Sequence, residues 1–394
     1  MAHSATSCAK TTWKGRPAVR LANGAIELTA LIGGGPIADL RLSTGSPAQR
    51  QNVLWEAPWR SLDPSGYRPR VHNRAYGPES VGRFLAGFTG HTLCLDYFGA
   101  PSEEEAKQRL CLHGEASVSN WKVVRHSHSK NAASVVMQVN LPNAGLKFER
   151  ELRVARGETV VYVSETVSNL RKADHFFHWT EHVTLGPPFL REEESLVYVP
   201  ARQAMTWPHG YDGKSLLIDS QEFIWPDAPA EHGGTVDISR PFVRRGAGFV
   251  AAALLKCELA CIAALNFRHG LLLGYCFARA VFPWVTMWEE NCARQEPPWE
   301  GRTQARGLEF GTTPIPVGKY QTFARGPLFG TPTFRRVPAK GRLQVRYAMF
   351  VAPVSATVRE ISDIQLDQQA ITVRGAGSAL LRVPARDLKI IRAS

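Results

Sequence analysis

Apolar and polar positions alternate along most of this chain. Residues 25–32 (AIELTALI), 117–126, 133–141, 146–155, 159–169, 343–351 and 371–375 all follow a two-residue period and are rich in β-branched and aromatic side chains. Gly, Pro, Asn and Asp fill the gaps, so each segment predicts a strand. The richest apolar stretch, GFVAAALLKCELACIAALNF, is interrupted by Lys256 and Glu258 and predicts two buried strands joined by a turn. Helical periodicity is scarce. The one clear helix candidate is 102–110 (SEEEAKQRL), with Ser102 as N-cap and acidic residues in the first turn. Many short strands and few helices predict an all-β fold, a large antiparallel β-sandwich. Two stretches, 56–110 and 187–247, read as long loops of the kind that carry function on a rigid sheet scaffold. No internal repeat or low-complexity linker divides the chain. One domain over 1–394 is expected, with its core at about 17–392, a flexible tail at 1–16, and a segment from about residue 335 closing the sandwich.

Composition narrows the class. With 44% apolar and 21% charged residues the chain is an ordinary globular protein. Its net charge is +12, but the cations are dispersed and no nucleic-acid fingerprint accompanies them. Attraction of an anionic small molecule fits this charge better than a nucleic-acid partner. The first residues contain no apolar signal core, and no run approaches the ~18 apolar residues of a membrane helix. A cytoplasmic protein without membrane contact is the expectation. Seven scattered cysteines without a CxxC pair suggest reduced thiols, and Cys257 and Cys261 lack the second pair a zinc site needs. Gly33-Gly34-Gly35-Pro36-Ile37-Ala38 satisfies a dinucleotide-binding pattern formally. However, Pro36 removes a donor and strand-like alternation continues after it, so a tight hairpin turn is expected instead.

Two segments carry candidate chemistry. HFFHWTEHVTLGPP contains His182, and ARGLEFGTTP contains Glu309; each sets an ionisable side chain in an apolar, strand-like run. If the fold brings them together, burial and neighbours can move both toward neutral pKa values, where proton transfer is most effective. His178, Glu181 and His182 also match the H-x-x-E-H zinc-peptidase pattern, but on a strand the two histidines share a face and Glu181 points the other way. His113 precedes Gly114, which permits close approach of a ligand or backbone. Trp284, Trp288 and Trp299, interleaved with Glu289, Glu290, Asn291, Arg294 and Arg302, could cover a sugar ring and bind its hydroxyls, or could cap the core.

Taken in order, these segments resemble the aldose 1-epimerase (galactose mutarotase-like) family. NGAIELTALIGGGPIADLRL followed by NVLW is similar to that family's opening hairpins, and VGRFLAGF to its arginine-bearing segment. LHGEASVSNW, FERELRVARGETVVYVSETVSN, HWTEHVTLGPPFL and RGLEFGTTPIP resemble its later motifs, so the similarity spans roughly residues 20 to 330. The resemblance implies a large β-sandwich, Glu309 as general base, His182 as general acid, and Arg83 and His113 as sugar-binding groups. His178, Trp288, Glu289 and Asn291 complete the candidate substrate-binding set. No metal or cofactor is called for, and the partner is a small sugar or sugar phosphate. The sequence departs from the family pattern at Glu181, Glu115 and the residues after Arg83. Three other readings stay open: a non-catalytic sugar-binding protein, a hexose-6-phosphate epimerase using Arg83, Arg279, Arg294 or Arg306, and a zinc hydrolase using His178, Glu181 and His182.

Overall fold

The computed structural model describes residues 6–392 apart from 109, 212–213, 356–357 and 376–377. Alternation becomes a two-sheet sandwich. A twelve-stranded sheet and an eight-stranded sheet, antiparallel throughout, enclose the main core. The centre of the larger sheet runs in the spatial order His91–Asp96, His175–Leu185, Gln304–Gly311, Trp284–Asn291, Ala247–Leu255. Its inward face presents Leu93, Leu95, Trp179, Val183, Leu308, Phe310, Val285 and Met287 to the core. The period-2 pattern then directs His178, Thr180, His182 and Thr184 outward. Two further apolar clusters flank the main core. One lies outside the eight-stranded sheet, under residues 364–391. The other lies on the outer face of the twelve-stranded sheet and contains Phe84, Phe88, Trp288 and Trp299.

The predicted strands are present, with informative shifts. Residues 117–126 begin as a 3-10 turn, Ala116–Val118, and the strand starts only at Lys122. Trp121 explains the delay: it is buried, and its backbone N–H donates to Ile32. The long apolar stretch does form two strands, but Ala247–Leu255 belongs to the larger sheet and Leu259–Asn266 to the smaller, so the turn between them crosses the sandwich. The expected flexible tail instead contains Ser7–Trp13, paired along its whole length with Arg16–Ala22; residues 1–5 lie outside the described residues. The segment after 335 divides. Arg342–Pro353 enters the eight-stranded sheet, while Asp363–Leu366, Ala370–Gly375 and Ser378–Pro384 form a separate three-stranded sheet. The 33–36 segment is the hairpin turn between Ile26–Leu31 and Ile37–Leu42, with Gly34 and Gly35 at positive φ.

The cysteine expectation is corrected. Cys261 and Cys276 form a disulfide between directly opposed positions of neighbouring strands, with Cα atoms 4.2 Å apart. A sequence separation of 15 hid that adjacency. No helix among the described residues is long and apolar enough to cross a membrane.

Residues 56–110 hold most of the helix. They form α1 (Pro69–Tyr76), α2 (Glu79–Gly87) and α3 (Glu103–Lys107). Ser102 and Glu105 cap α3 reciprocally, which satisfies two of the donors a helix start leaves open. The stretch predicted as helix, 102–110, is thus helical only over its first half. In α2, Val81, Phe84, Leu85 and Phe88 recur at the spacing of a helix face, and that stripe packs down on the outer face of the larger sheet.

Candidate active site

The strand register brings the two key residues together. His175–Leu185 pairs with Gln304–Gly311 such that Glu181 faces Phe310 and Thr184 faces Gly307, which sets His182 opposite Glu309. Their side chains project from the same face, and His182 Nε2 lies 3.4 Å from Glu309 Oε1. Both are almost fully buried. On the other flank of Glu309, Thr286 is its cross-strand partner. A Cβ on Gly307 would fall 2.1 Å from Glu309 Oε1, so the carboxyl group lies over a position that must remain side-chain-free.

Electrostatically the pair is isolated. Glu309 Oε1 accepts no hydrogen bond. Burial alone pushes its carboxyl well above the usual range. Burial, reinforced by the neighbouring His113, pushes His182 well below the ordinary imidazole value. An ionised carboxylate here would lose its hydration without replacement, which costs several kcal/mol. Both shifts favour the uncharged forms, a carboxyl group on Glu309 and a neutral imidazole on His182. His182 Nδ1 shares a hydrogen bond with Thr184 Oγ1 at 3.1 Å, which orients the ring.

His113 completes a short row of imidazoles. Its ring centroid is 4.9 Å from that of His182, edge to face. Its Nδ1 donates to the Phe98 carbonyl at 2.6 Å, which leaves Nε2 as an acceptor. Burial lowers its pKa to about 4. The backbone at His113 and Gly114 has φ of 65° and 83°, and a side chain on Gly114 would collide with the Leu95 carbonyl. This tight left-handed turn aims the imidazole at the pair. His178, by contrast, lies behind that arrangement. Its Nδ1 accepts the Phe98 N–H at 3.2 Å, while its Nε2 is buried without a partner. The backbone of Phe98 thus bonds His178 through its N–H and His113 through its carbonyl.

His113, His182 and Glu309 face a cavity of about 270 Å³. Trp288, Trp299 and Val250 contribute one wall; Phe84, Phe88 and Val81 from α2 contribute another. Sequence reasoning did not select the α2 residues, although the i, i+3, i+4, i+7 spacing of Val81, Phe84, Leu85 and Phe88 is visible in it. Arg83 falls off that stripe and does not line the cavity; its side chain sits beside the Cys111 thiol. Glu289 and Asn291 also point away. Trp288 faces the cavity, so its neighbour Glu289 must face the sandwich interior, where it accepts the Phe242 N–H and lies 3.3 Å from Arg306. Asn291 is held there by Phe242 and Gln304. Of the four arginines considered for a phosphate, only Arg294 lines the cavity, and it lies against the Tyr211 and Trp299 rings with Glu290 3.9 Å away.

Glu181 occupies the opposite face from His178 and His182. Its carboxylate receives His91, Arg150, Trp179 and Tyr347 at 2.8 to 3.2 Å inside the sandwich core. It cannot stand beside a metal bound by the two histidines. Among the described residues no cluster of three or more His, Cys, Asp or Glu has the arrangement of a metal site.

No family model matches the sequence, and no curated protein is similar to it at the sequence level. Solved structures are similar in fold. A protein from Klebsiella pneumoniae, provisionally named an aldose 1-epimerase, superposes with a TM-score of 0.61 at 14% identity, covering 86% of this chain and 81% of that one. A provisionally named mutarotase from Salmonella typhimurium gives 0.56 at 10% identity over 88% and 94% of the two chains. A galactose mutarotase-like protein from Clostridium acetobutylicum gives 0.55 at 12% identity over 89% and 99%. At these identities the likeness establishes a galactose mutarotase-like fold.

Proposed function

We propose that this protein is an acid–base epimerase that interconverts the anomers of an aldose. One observation carries the reading: residues 182 and 309, far apart in sequence, place an imidazole and a carboxyl group 3.4 Å apart on the wall of one cavity. The volume of about 270 Å³ is just below the ~300–1,000 Å³ usual for drug-sized ligands and suits a monosaccharide rather than a longer glycan.

The chemistry needs only the one proton the pair holds. Contact with substrate hydroxyls supplies the hydrogen bonds that ionised Glu309 lacks, and the proton crosses to His182. Glu309 then takes the proton of the C1 hydroxyl as His182 protonates the ring oxygen. The C1–O5 bond breaks and C1 becomes an aldehyde. Rotation about C1–C2 presents the other carbonyl face. The ring oxygen returns its proton to His182 as it attacks C1, and Glu309 reprotonates the carbonyl oxygen, which restores both groups. Positioned proton transfers of this kind are worth about 10²–10⁴-fold each.

NMR exchange spectroscopy on free and phosphorylated aldoses tests this reading. Exchange between α and β resonances faster than in buffer is the expected result. Saturable binding with no acceleration of any sugar would instead indicate a binding protein of the same fold. A preference for hexose 6-phosphates that weakens with salt would move the substrate to phosphorylated sugars, with Arg294 as the one cavity cation to meet them.

A further inference from the structure

A hexopyranose carries an oxygen on every carbon, and each oxygen that enters a dry site needs a partner. This cavity offers few. Trp288 commits its indole N–H to Tyr211, and the Thr286 hydroxyl donates to the Pro314 carbonyl. Arg294 lies against the Tyr211 and Trp299 rings with Glu290 3.9 Å away, and it is the one guanidinium among the lining residues. The uncommitted groups are His113 Nε2, the His182–Glu309 pair and the Trp207 indole N–H, which has no partner in the protein. His182 lies in contact with both His113 and Glu309. Around them the wall is hydrocarbon and aromatic: Phe84 lies edge-on to His113 and Phe88 to His182, at 4.7 and 5.3 Å between ring centroids, and Val81, Leu85, Leu112 and Val250 also line it.

We infer that the substrate is a hydroxyl-poor cyclic hemiacetal, such as a deoxyhexose. It binds with its anomeric carbon at His182 and Glu309 and its deoxygenated edge against α2. The inference rests on the epimerase reading and narrows its substrate class. His113 Nε2 accepts from the hydroxyl next to the anomeric carbon. Phe84 and Phe88 flank the anomeric end, and the far edge of the ring meets Val81 and Leu85 of α2, where a methyl or methylene group packs and a hydroxyl would lack a partner. The region that a sugar site would normally line with amides and carboxylates has those groups turned inward here: Glu289 and Asn291 serve the sandwich interior. An apolar pocket discriminates against an added hydroxyl by up to about a hundredfold.

The test compares D-fucose with D-galactose, which differ by one hydroxyl at the edge remote from C1. A methyl-substituted tetrahydropyranol, a hemiacetal with no other hydroxyl, serves as the limiting probe. Each is followed by NMR exchange spectroscopy with the full-length protein. The expected result is kcat/KM at least about tenfold higher for D-fucose than for D-galactose, with measurable acceleration of the tetrahydropyranol. If D-galactose equals or exceeds D-fucose, the substrate inference is wrong and the epimerase reading stands. If none of the three exchanges faster than in buffer, the epimerase reading falls and takes this inference with it.

Discussion

Two buried glutamates on opposite faces of one sheet show how differently the same side chain can be used. Glu181 and Glu309 are both essentially inaccessible and sit on neighbouring strands. Glu181 receives donors from His91, Arg150, Trp179 and Tyr347, and Arg150 also bridges to Glu165. Its charge is compensated on every side. Glu309 has one imidazole at 3.4 Å and an oxygen with no hydrogen bond at all. A satisfied carboxylate holds a fold together; an unsatisfied one facing a cavity is pushed toward its protonated form. The network around Glu181 is itself under electrostatic tension, because two carboxylates share one guanidinium. Burial, then the nearby Glu181, push Glu165 up to about 8.

The sharpest way to break the comparison is to remove each glutamate. Glu181→Ala leaves Arg150 only Glu165 as a carboxylate partner and takes the acceptor from His91 and Trp179 in the core, and is expected to cost about 3–5 kcal/mol, read by chemical denaturation. Glu309→Gln replaces a buried carboxyl group, held toward its uncharged form, by a near-isostere and is expected to leave stability within about 1 kcal/mol. Equal losses would erase the distinction.

Acid is the next lever, and its sign follows from the imidazoles. Burial lowers His113 to about 4, and His91 and His178 to about 3. Each folded pKa lies below the unfolded value near 6.5, so nothing is lost above 6.5, and as pH falls the unfolded chain takes up protons the folded one refuses. His113 alone then loses roughly 3 kcal/mol of stability between pH 6.5 and 4. Raised Glu309 and Glu165 act with the opposite sign in the same window, so the effect is read as a difference: His113→Asn should lose less stability than the wild type between pH 6.5 and 4 by circular dichroism, and equal losses would contradict it.

Turnover separates the cavity face further. His182→Asn should lower anomer exchange at least ~100-fold while the melting temperature holds. Gly307→Ala should displace the Glu309 carboxyl and lower exchange about tenfold, a smaller effect because the side chain can still lean aside.

Much of the fold was legible because alternation in an antiparallel sheet writes its faces into the sequence. The strand 146–155 is an example, alternating buried and part-exposed positions along its full length. The site was legible in part. His182 and Glu309 stood out as ionisable groups in apolar runs, but their meeting depends on a strand register that no local pattern encodes; only the family resemblance paired them. The same ignorance of register concealed Cys261 facing Cys276. Glu289 is a different case. Period 2 already forbids Trp288 and Glu289 from sharing a cleft, so placing both at the ligand ignored a rule the sequence displays. Arg83 was assigned by motif, whereas the apolar stripe of α2 directs Phe84 and Phe88 into the cavity in its stead.

The most direct test is the pH dependence of anomer exchange in wild type and in Glu309→Gln. A pair holding one proton is active between the loss of that proton and the gain of a second, and the limbs belong to the pair rather than to either residue. With Glu309 raised and His182 lowered, wild type should show a broad plateau through neutrality, falling in acid as the pair takes a second proton and in alkali as it loses its last. Glu309→Gln should lose at least ~100-fold in rate and its alkaline limb. Identical profiles in the two proteins would contradict the account.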